Sequence, residues 1–270
     1  NAKAFGVGSK TGIDLPDESS GRLPDRLWKT NYWKANKDFY CNYLNKAQKK
    51  DLTPYLIAIA KENCIDGYML RAGDAVNFSI GQGDTLVSPL QLASMYAAIA
   101  NGGTLYKPEI ARAIVSPTGK VIKEFTPTVN GKIPATTSDL EFLHRALRAV
   151  ATRGTAAGLF ANFPVQISGK TGTGQVLGRN ANGSAKDDTS WFASYAPSNK
   201  PQYAVVMMVS QGGFGAAASG GGVKDIYTAL FGVKGNTVDP KAAIFPASGP
   251  SSTIPKIDTK AASAKKVAKK

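Results

Sequence analysis

Three runs in the last third of the chain constrain its fold most: Val165 to Val176, Ser190 to Ala196 (SWFASYA) and Gln202 to Ser210 all read as strands. Only Pro197-Ser198-Asn199-Lys200-Pro201 separates the last two. A connector that short joins antiparallel neighbours, because a parallel pair needs a crossover of a dozen or more residues. Two capped helices precede the strands. Ser88-Pro89-Leu90-Gln91 is a capping box with Pro at the first helical position; Leu92, Met95, Tyr96 and Ile99 follow at helical spacing, and Asn101-Gly102-Gly103 ends the helix. Ser138-x-x-Glu141 opens a second helix, with Leu140, Leu143, Leu147 and Val150 on one face and Gly154 beyond its end. The expected architecture is α/β (α+β), an antiparallel sheet flanked by helices.

Elsewhere the signals are local. Ala111 to Val115 and Val121 to Phe125 flank Ser116-Pro117-Thr118-Gly119-Lys120, a hairpin turn built on Pro and Gly. Residues 1 to 36 read as loop, with breakers at Gly6, Gly8, Thr11-Gly12, Pro16-Asp17 and Gly21 to Pro24, so they must lie over something else. Thr53 and Pro54 open a short helix reaching Glu62. Gly212 to Gly222 reads as a flexible loop before a helix at Val223 to Phe231. From Gly235 the chain is Pro, Ser, Ala and Lys with few large apolar residues, which sets a folded body at 1–234 and a disordered basic tail at 235–270.

Composition excludes some classes. With 43% hydrophobic and 19% charged residues the body is globular, and its most apolar stretch, Tyr203 to Ser210, has the length of a strand rather than a membrane span. Asn1 follows no initiator Met or leader pattern, so the chain reads as beginning in mid-protein. The net charge of +14 is partly a property of the segment from Lys241 on, and it favours polyanions without choosing among nucleic acid, anionic head groups and the phosphate polymers of cell walls. His144 is the only histidine, too few ligands for a closed zinc site, and as part of a helix it is expected to face solvent or the helix edge. Cys41 and Cys64 either form a disulfide in an oxidising compartment or are two independent thiols.

Ile167-Ser168-Gly169-Lys170-Thr171-Gly172-Thr173-Gly174 admits competing readings. A phosphate-binding P-loop needs Gly five residues before Gly-Lys, where Pro164 stands, and a helix at the Lys, where the sequence continues extended. Gly213-Phe214-Gly215 superficially fits a dinucleotide loop but lacks the βαβ setting. The third reading is the edge strand of an acyl-transfer site. There Lys170 supplies positive charge, Thr171 and Thr173 hydroxyls, and Gly172 room for close approach, while edge amides can stabilise an oxyanion.

Context favours the third. Arg153-Gly154-Thr155 after a capped helix, then Ile167 to Gln175, then Trp191-Phe192-Ala193-Ser194-Tyr195-Ala196-Pro197 and an apolar strand resembles the penicillin-binding proteins. So does Ser79-Ile80-Gly81-Gln82-Gly83-Asp84 leading into Ser88-Pro89-Leu90-Gln91 and ending at Asn101-Gly102-Gly103, while Phe5 to Pro16 resembles a stretch of the class B, elongation-type members. The resemblance covers residues 1 to 232 and implies a β-lactamase/transpeptidase-like fold, incomplete at its N-terminus. It implies a serine acyltransferase that cross-links peptidoglycan stem peptides and is acylated by β-lactam antibiotics. A hydrolase of the same fold and a non-catalytic penicillin-sensing or wall-binding module are the alternatives. By the family's pattern Lys170 is the electrostatic and proton-relay residue, and Thr171, Gly172 and Thr173 bind substrate. The Ser-x-x-Lys and Ser-x-Asn motifs of the family have no counterpart here: Ser263-Ala264-Lys265-Lys266 matches the first literally but lies in the Lys-rich tail, with no core to desolvate a base. The chain alone is therefore expected to be inactive. Also implied are an upstream membrane anchor outside the chain, a catalytic domain on the extracytoplasmic side, other wall-synthesis proteins as partners, no cofactor and no nucleic acid. The stretch from Asn36 to Leu70 reads as an insertion into the family pattern.

Overall fold

A computed structural model describes residues 2–46, 53–118, 120–176 and 178–244, which divide into a unit at Gly21–Leu86 and a larger one made by the residues on either side of it. The smaller unit holds three helices, α1 (Arg26–Lys46), α2 (Pro54–Asp66) and α3 (Ala72–Ser79). Its ends are tied by paired amide bonds between Arg22 and Leu86, 2.8 and 2.9 Å. The stretch 36–70 falls inside this unit, and the loop expected through residue 36 already becomes helix at Arg26. Asp25 caps that helix, its carboxylate accepting from the Trp28 amide at 2.7 Å. No residue of α1 is buried, so it carries no apolar stripe for periodicity to find; turn-spaced aromatic pairs such as Trp28 with Tyr32, centroids 4.8 Å apart, support it instead. Thr53 caps α2 as expected, accepting from the Leu56 amide. Cys41 of α1 and Cys64 of α2 are joined in a disulfide, Cα atoms 4.6 Å apart across a separation of 23 residues. Closing a loop of that length stabilises by about 3 kcal/mol in the chain-entropy picture. Mass spectrometry without reductant should recover linked Cys41 and Cys64 peptides; two alkylatable thiols would remove the bond.

In the larger unit the order is α4 (Pro89–Ala100), β1 (Thr104–Tyr106), β2 (Ala113–Val115), β3 (Val121–Glu124), β4 (Val129–Lys132), α5 (Thr137–Thr152), α6 (Ala157–Phe160), β5 (Ser168–Gly174), β6 (Thr189–Ala196), β7 (Tyr203–Val209), α7 (Ala218–Phe231), β8 (Val233–Lys234) and β9 (Thr237–Val238). β5, β6 and β7 form one antiparallel sheet with β6 in the centre. The register runs unbroken from Ser168 opposite Tyr195 to Gly174 opposite Thr189. β6 is buried on both faces, with Phe192 through Ala196 all in the interior. Phe192 and Ala196 join Phe160, Ile167, Val223 and Tyr227 on the side of α6 and α7. Ala193 and Tyr195 join Tyr96, Ile99 and Leu140 on the side of α4 and α5. The result is the expected helix-flanked antiparallel sheet.

The capping box of α4 carries a second function. Gln91 Oε1 closes the cap by accepting from the Ser88 amide at 2.9 Å. Its Nε2, deep in the interior, donates to the carbonyls of Ser9 and Ser20 at 2.7 and 2.8 Å. The amino-terminal strap is also held by Asp14, whose carboxylate accepts from the amides of Ile110 and Ala111.

Several expectations are corrected. The cap of α5 is Thr136 with Asp139, two residues before the expected Ser138-Glu141 pair; both pairs fit the motif, and only the first stands where the chain turns. α7 begins at Ala218, inside the expected loop. Two of its glycines are explained by proximity: a Cβ on Gly222 would lie 2.3 Å from Met207 Sδ, and one on Gly220 2.8 Å from Leu159 Cδ2. The tail does not start at 235, since β8 and β9 pair as a hairpin and a 3₁₀ turn follows at Pro240–Ala242. Residues 245–270, with Ser263 to Lys266, lie outside the described residues, as does Gly119 of the β2–β3 turn. His144 does not simply face solvent, because its Nδ1 is 2.5 Å from the Tyr195 hydroxyl. Burial pushes that phenol above its ordinary pKa, partly offset by the Ser168 hydroxyl. It therefore stays a neutral hydroxyl that bridges β6 to the imidazole on α5.

Candidate active site

β5 is the outermost strand of its sheet, paired with β6 and with no other described strand. The Lys170-Thr171-Gly172 triplet thus lies at a sheet margin in extended conformation, neither coiled around a phosphate nor followed by a helix. The dinucleotide reading fails as well, since β6 and β7 run antiparallel where a βαβ unit needs parallel strands.

Register assigns each side chain a face, because directly paired positions share one. Lys170 pairs with Ala193, of the core cluster beneath α4. Thr171 pairs with Phe192 and Thr173 with Ser190, on the opposite face. Lys170 is exposed while Thr171 is buried. The lysine nevertheless reaches round the margin: Nζ donates to the Thr171 carbonyl at 2.8 Å and to its hydroxyl at 3.3 Å. The Thr171 hydroxyl in turn is 2.8 Å from the Thr155 hydroxyl. An ammonium and two hydroxyls therefore form one chain along the edge.

Thr155 is the member that sequence reasoning did not place. It sits just beyond α5, in the turn after Gly154, where any Cβ would lie 2.8 Å from Val150 Cα. The Arg153-Gly154-Thr155 triplet was the available signal, but nothing local says that its hydroxyl meets β5. Thr173 is positioned differently. Its hydroxyl accepts from the Gly215 amide at 3.3 Å, which pins the loop before α7 to the strand.

The two glycines at this junction have measurable reasons. A Cβ on Gly172 would lie 3.1 Å from Trp191 Cβ, and one on Gly215 would lie 2.3 Å from the Gly172 carbonyl oxygen. Room at Gly172 is thus needed for the neighbouring strand as well as for anything approaching the edge.

The serines of the sheet and α7 are not free nucleophiles. Ser190 and Ser219 hydroxyls are 2.8 Å apart, Ser219 also donates to the Gly215 carbonyl, and Ser194 bonds Val205 and Tyr227; all three are fully buried. No group of His, Cys, Asp and Glu able to hold a metal ion occurs among the described residues. Chemically, the margin offers a cation, hydroxyls and backbone amides to an anionic or polarised acyl group.

Residues 1–232 match the family model described as Transpeptidase, the penicillin binding protein transpeptidase domain. The chain is similar to the peptidoglycan D,D-transpeptidase MrdA of Acinetobacter baumannii, 30% identical over 229 residues, covering 80% of this chain and 28% of that protein. It is 32% identical to penicillin-binding protein H of Bacillus subtilis, covering 76% of this chain and 24% of that one. Among solved structures it resembles penicillin-binding protein 2B of Streptococcus pneumoniae with a TM-score of 0.59 and 26% identity, over 86% of this chain and 32% of the other. PBP2 in its complex with MreC from Helicobacter pylori gives a TM-score of 0.58 at 25% identity, over 85% and 34%. The chain spans about a quarter of the length of these curated relatives.

Proposed function

The chain belongs to the penicillin-binding protein transpeptidase family, and on that premise we propose that β5 is the substrate strand of a peptidoglycan D,D-transpeptidase that cross-links stem peptides through an acyl-serine intermediate. The observation carrying this reading is the exposed Lys170 on an outer strand, its ammonium linked to the Thr171 and Thr155 hydroxyls. Lys170 receives the substrate carboxylate or relays its proton, Thr171 orients the ammonium, and the margin around Gly172 and Thr173 lies against the acyl donor. The serine nucleophile and its lysine base come from sequence other than residues 1–270, so this chain alone does not turn over. β-Lactams, which imitate the acyl donor, acylate the same serine. A disulfide between Cys41 and Cys64 suits the oxidising side of the cytoplasmic membrane, the side on which stem peptides are joined. Among the described residues no helix is long and apolar enough to cross a membrane. As with the relative solved together with MreC, other wall-synthesis proteins are its partners.

The complete protein should form a covalent adduct with a fluorescent penicillin and, given a donor stem peptide and an amine acceptor, release the exchanged amide. Absence of any adduct would overturn the reading. Hydrolysis without aminolysis would make the protein a hydrolase of the same fold.

A further inference from the structure

α5 presents a second feature that the acyl-transfer reading does not use. His144, Arg145, Arg148, Thr152 and Arg153 line one open cleft of about 420 Å³ together with Ser198 from the β6–β7 connector. Arg145, Arg148 and Thr152, three and four residues apart, stack along one side of the helix, and Arg153 follows as its C-cap. No carboxylate lines this cleft. Ion pairs form elsewhere in the molecule, but among the described residues none of these three guanidiniums is in one, and Glu141, one turn before Arg145, is not within ion-pair distance of any. Arg148 is anchored by donating to the Ile167 carbonyl at 3.2 Å. Like charges at such spacing destabilise a helix, and an anion between them reverses the sign.

From this arrangement we infer that the cleft binds a phosphate-bearing anion. Three guanidiniums with forked donors exceed what one carboxylate can use, whereas the oxygens of a phosphate group match the guanidinium fork and can accept from more than one of them. Thr152 Oγ1 donates to the Arg148 carbonyl and Ser198 Oγ is bonded to Ser168 Oγ, so the guanidiniums are the donors left to a ligand, and His144, whose Nδ1 is taken by Tyr195, completes the lining. The inference is independent of the role given to Lys170.

The test is calorimetric titration of the complete protein with tripolyphosphate and, separately, with monomeric dihexanoylphosphatidylglycerol. Replacing Arg145→Ser and Arg153→Ser together should weaken binding by about tenfold or more, the loss of at least one charge-assisted bond. Penicillin labelling should stay unchanged, showing that the fold is intact. The control pair Lys120→Ser and Lys123→Ser, exposed at the β2–β3 hairpin and not part of the cleft lining, should leave affinity as it was. Tripolyphosphate binding alone identifies a soluble phosphate polymer, and lipid binding alone a membrane head group. Binding of neither by the unmodified protein, or equal weakening by the control pair, overturns the inference.

Discussion

Replacing Lys170→Ala should slow acylation of the complete protein by a fluorescent penicillin about 10² to 10³-fold, the range seen when one preorganised charge-stabilising or proton-transferring group is removed. The size follows from position. The ammonium is exposed, so no folding energy rests on its burial, and its bonds to the Thr171 carbonyl and hydroxyl hold it at the strand margin before substrate arrives. That preorganisation is lost with the side chain, while the backbone of β5, paired through its whole length with β6, stays in place. Lys170→Arg separates the two roles, because a guanidinium keeps the charge but does not release a proton. Recovery of labelling in the Arg variant assigns Lys170 an electrostatic role, and failure of both variants assigns it the relay. Labelling of the Ala variant at the rate of the unmodified protein would refute the site.

Phe192→Ala should destabilise the larger unit by about 3 to 5 kcal/mol, read as a fall in the thermal or denaturant midpoint of the complete protein. Phe192 is fully buried in the central strand, its ring 5.8 Å from that of Phe160, within the cluster that binds α6 and α7 to the sheet. It also stands directly opposite Thr171. The cavity therefore opens under the residue that orients Lys170, and labelling should fall with stability. A midpoint unchanged within error would mean that the sheet is not packed as described. Exposed Met208, on β7, provides the contrast: its truncation removes little buried area and should move the midpoint little.

Much of the architecture is legible in the order of residues because its causes are local. Ser88 and Gln91 cap α4 through groups three residues apart, and the five-residue connector after Ala196 admits only an antiparallel return. The failures are equally physical. The start of α1, up to residue 36, reads as loop because helix detection depends on an apolar stripe, and this helix buries none of its residues. The start of α7 is hidden in the sequence because three successive glycines, Gly220 to Gly222, argue against a helix wherever backbone entropy decides; here the close approach of Leu159 to Gly220 and of Met207 to Gly222 decides instead. His144 reads as a helix-edge residue because its partner, Tyr195, is 51 residues away.

For the site, the sequence by itself determined the chemical inventory: an ammonium, hydroxyls and glycines on one extended segment, in an order shared with the transpeptidase family. Only the tertiary structure decided their arrangement. It placed Lys170 and Thr173 on opposite faces of β5, turned the lysine back over the margin onto Thr171, and brought Thr155 from beyond α5 to complete the hydroxyl chain. The division has one physical reason. Residue type and short spacing fix what a segment can donate and whether it is strand or helix, while contacts between distant segments exist only once the sheet and the helices covering it have packed.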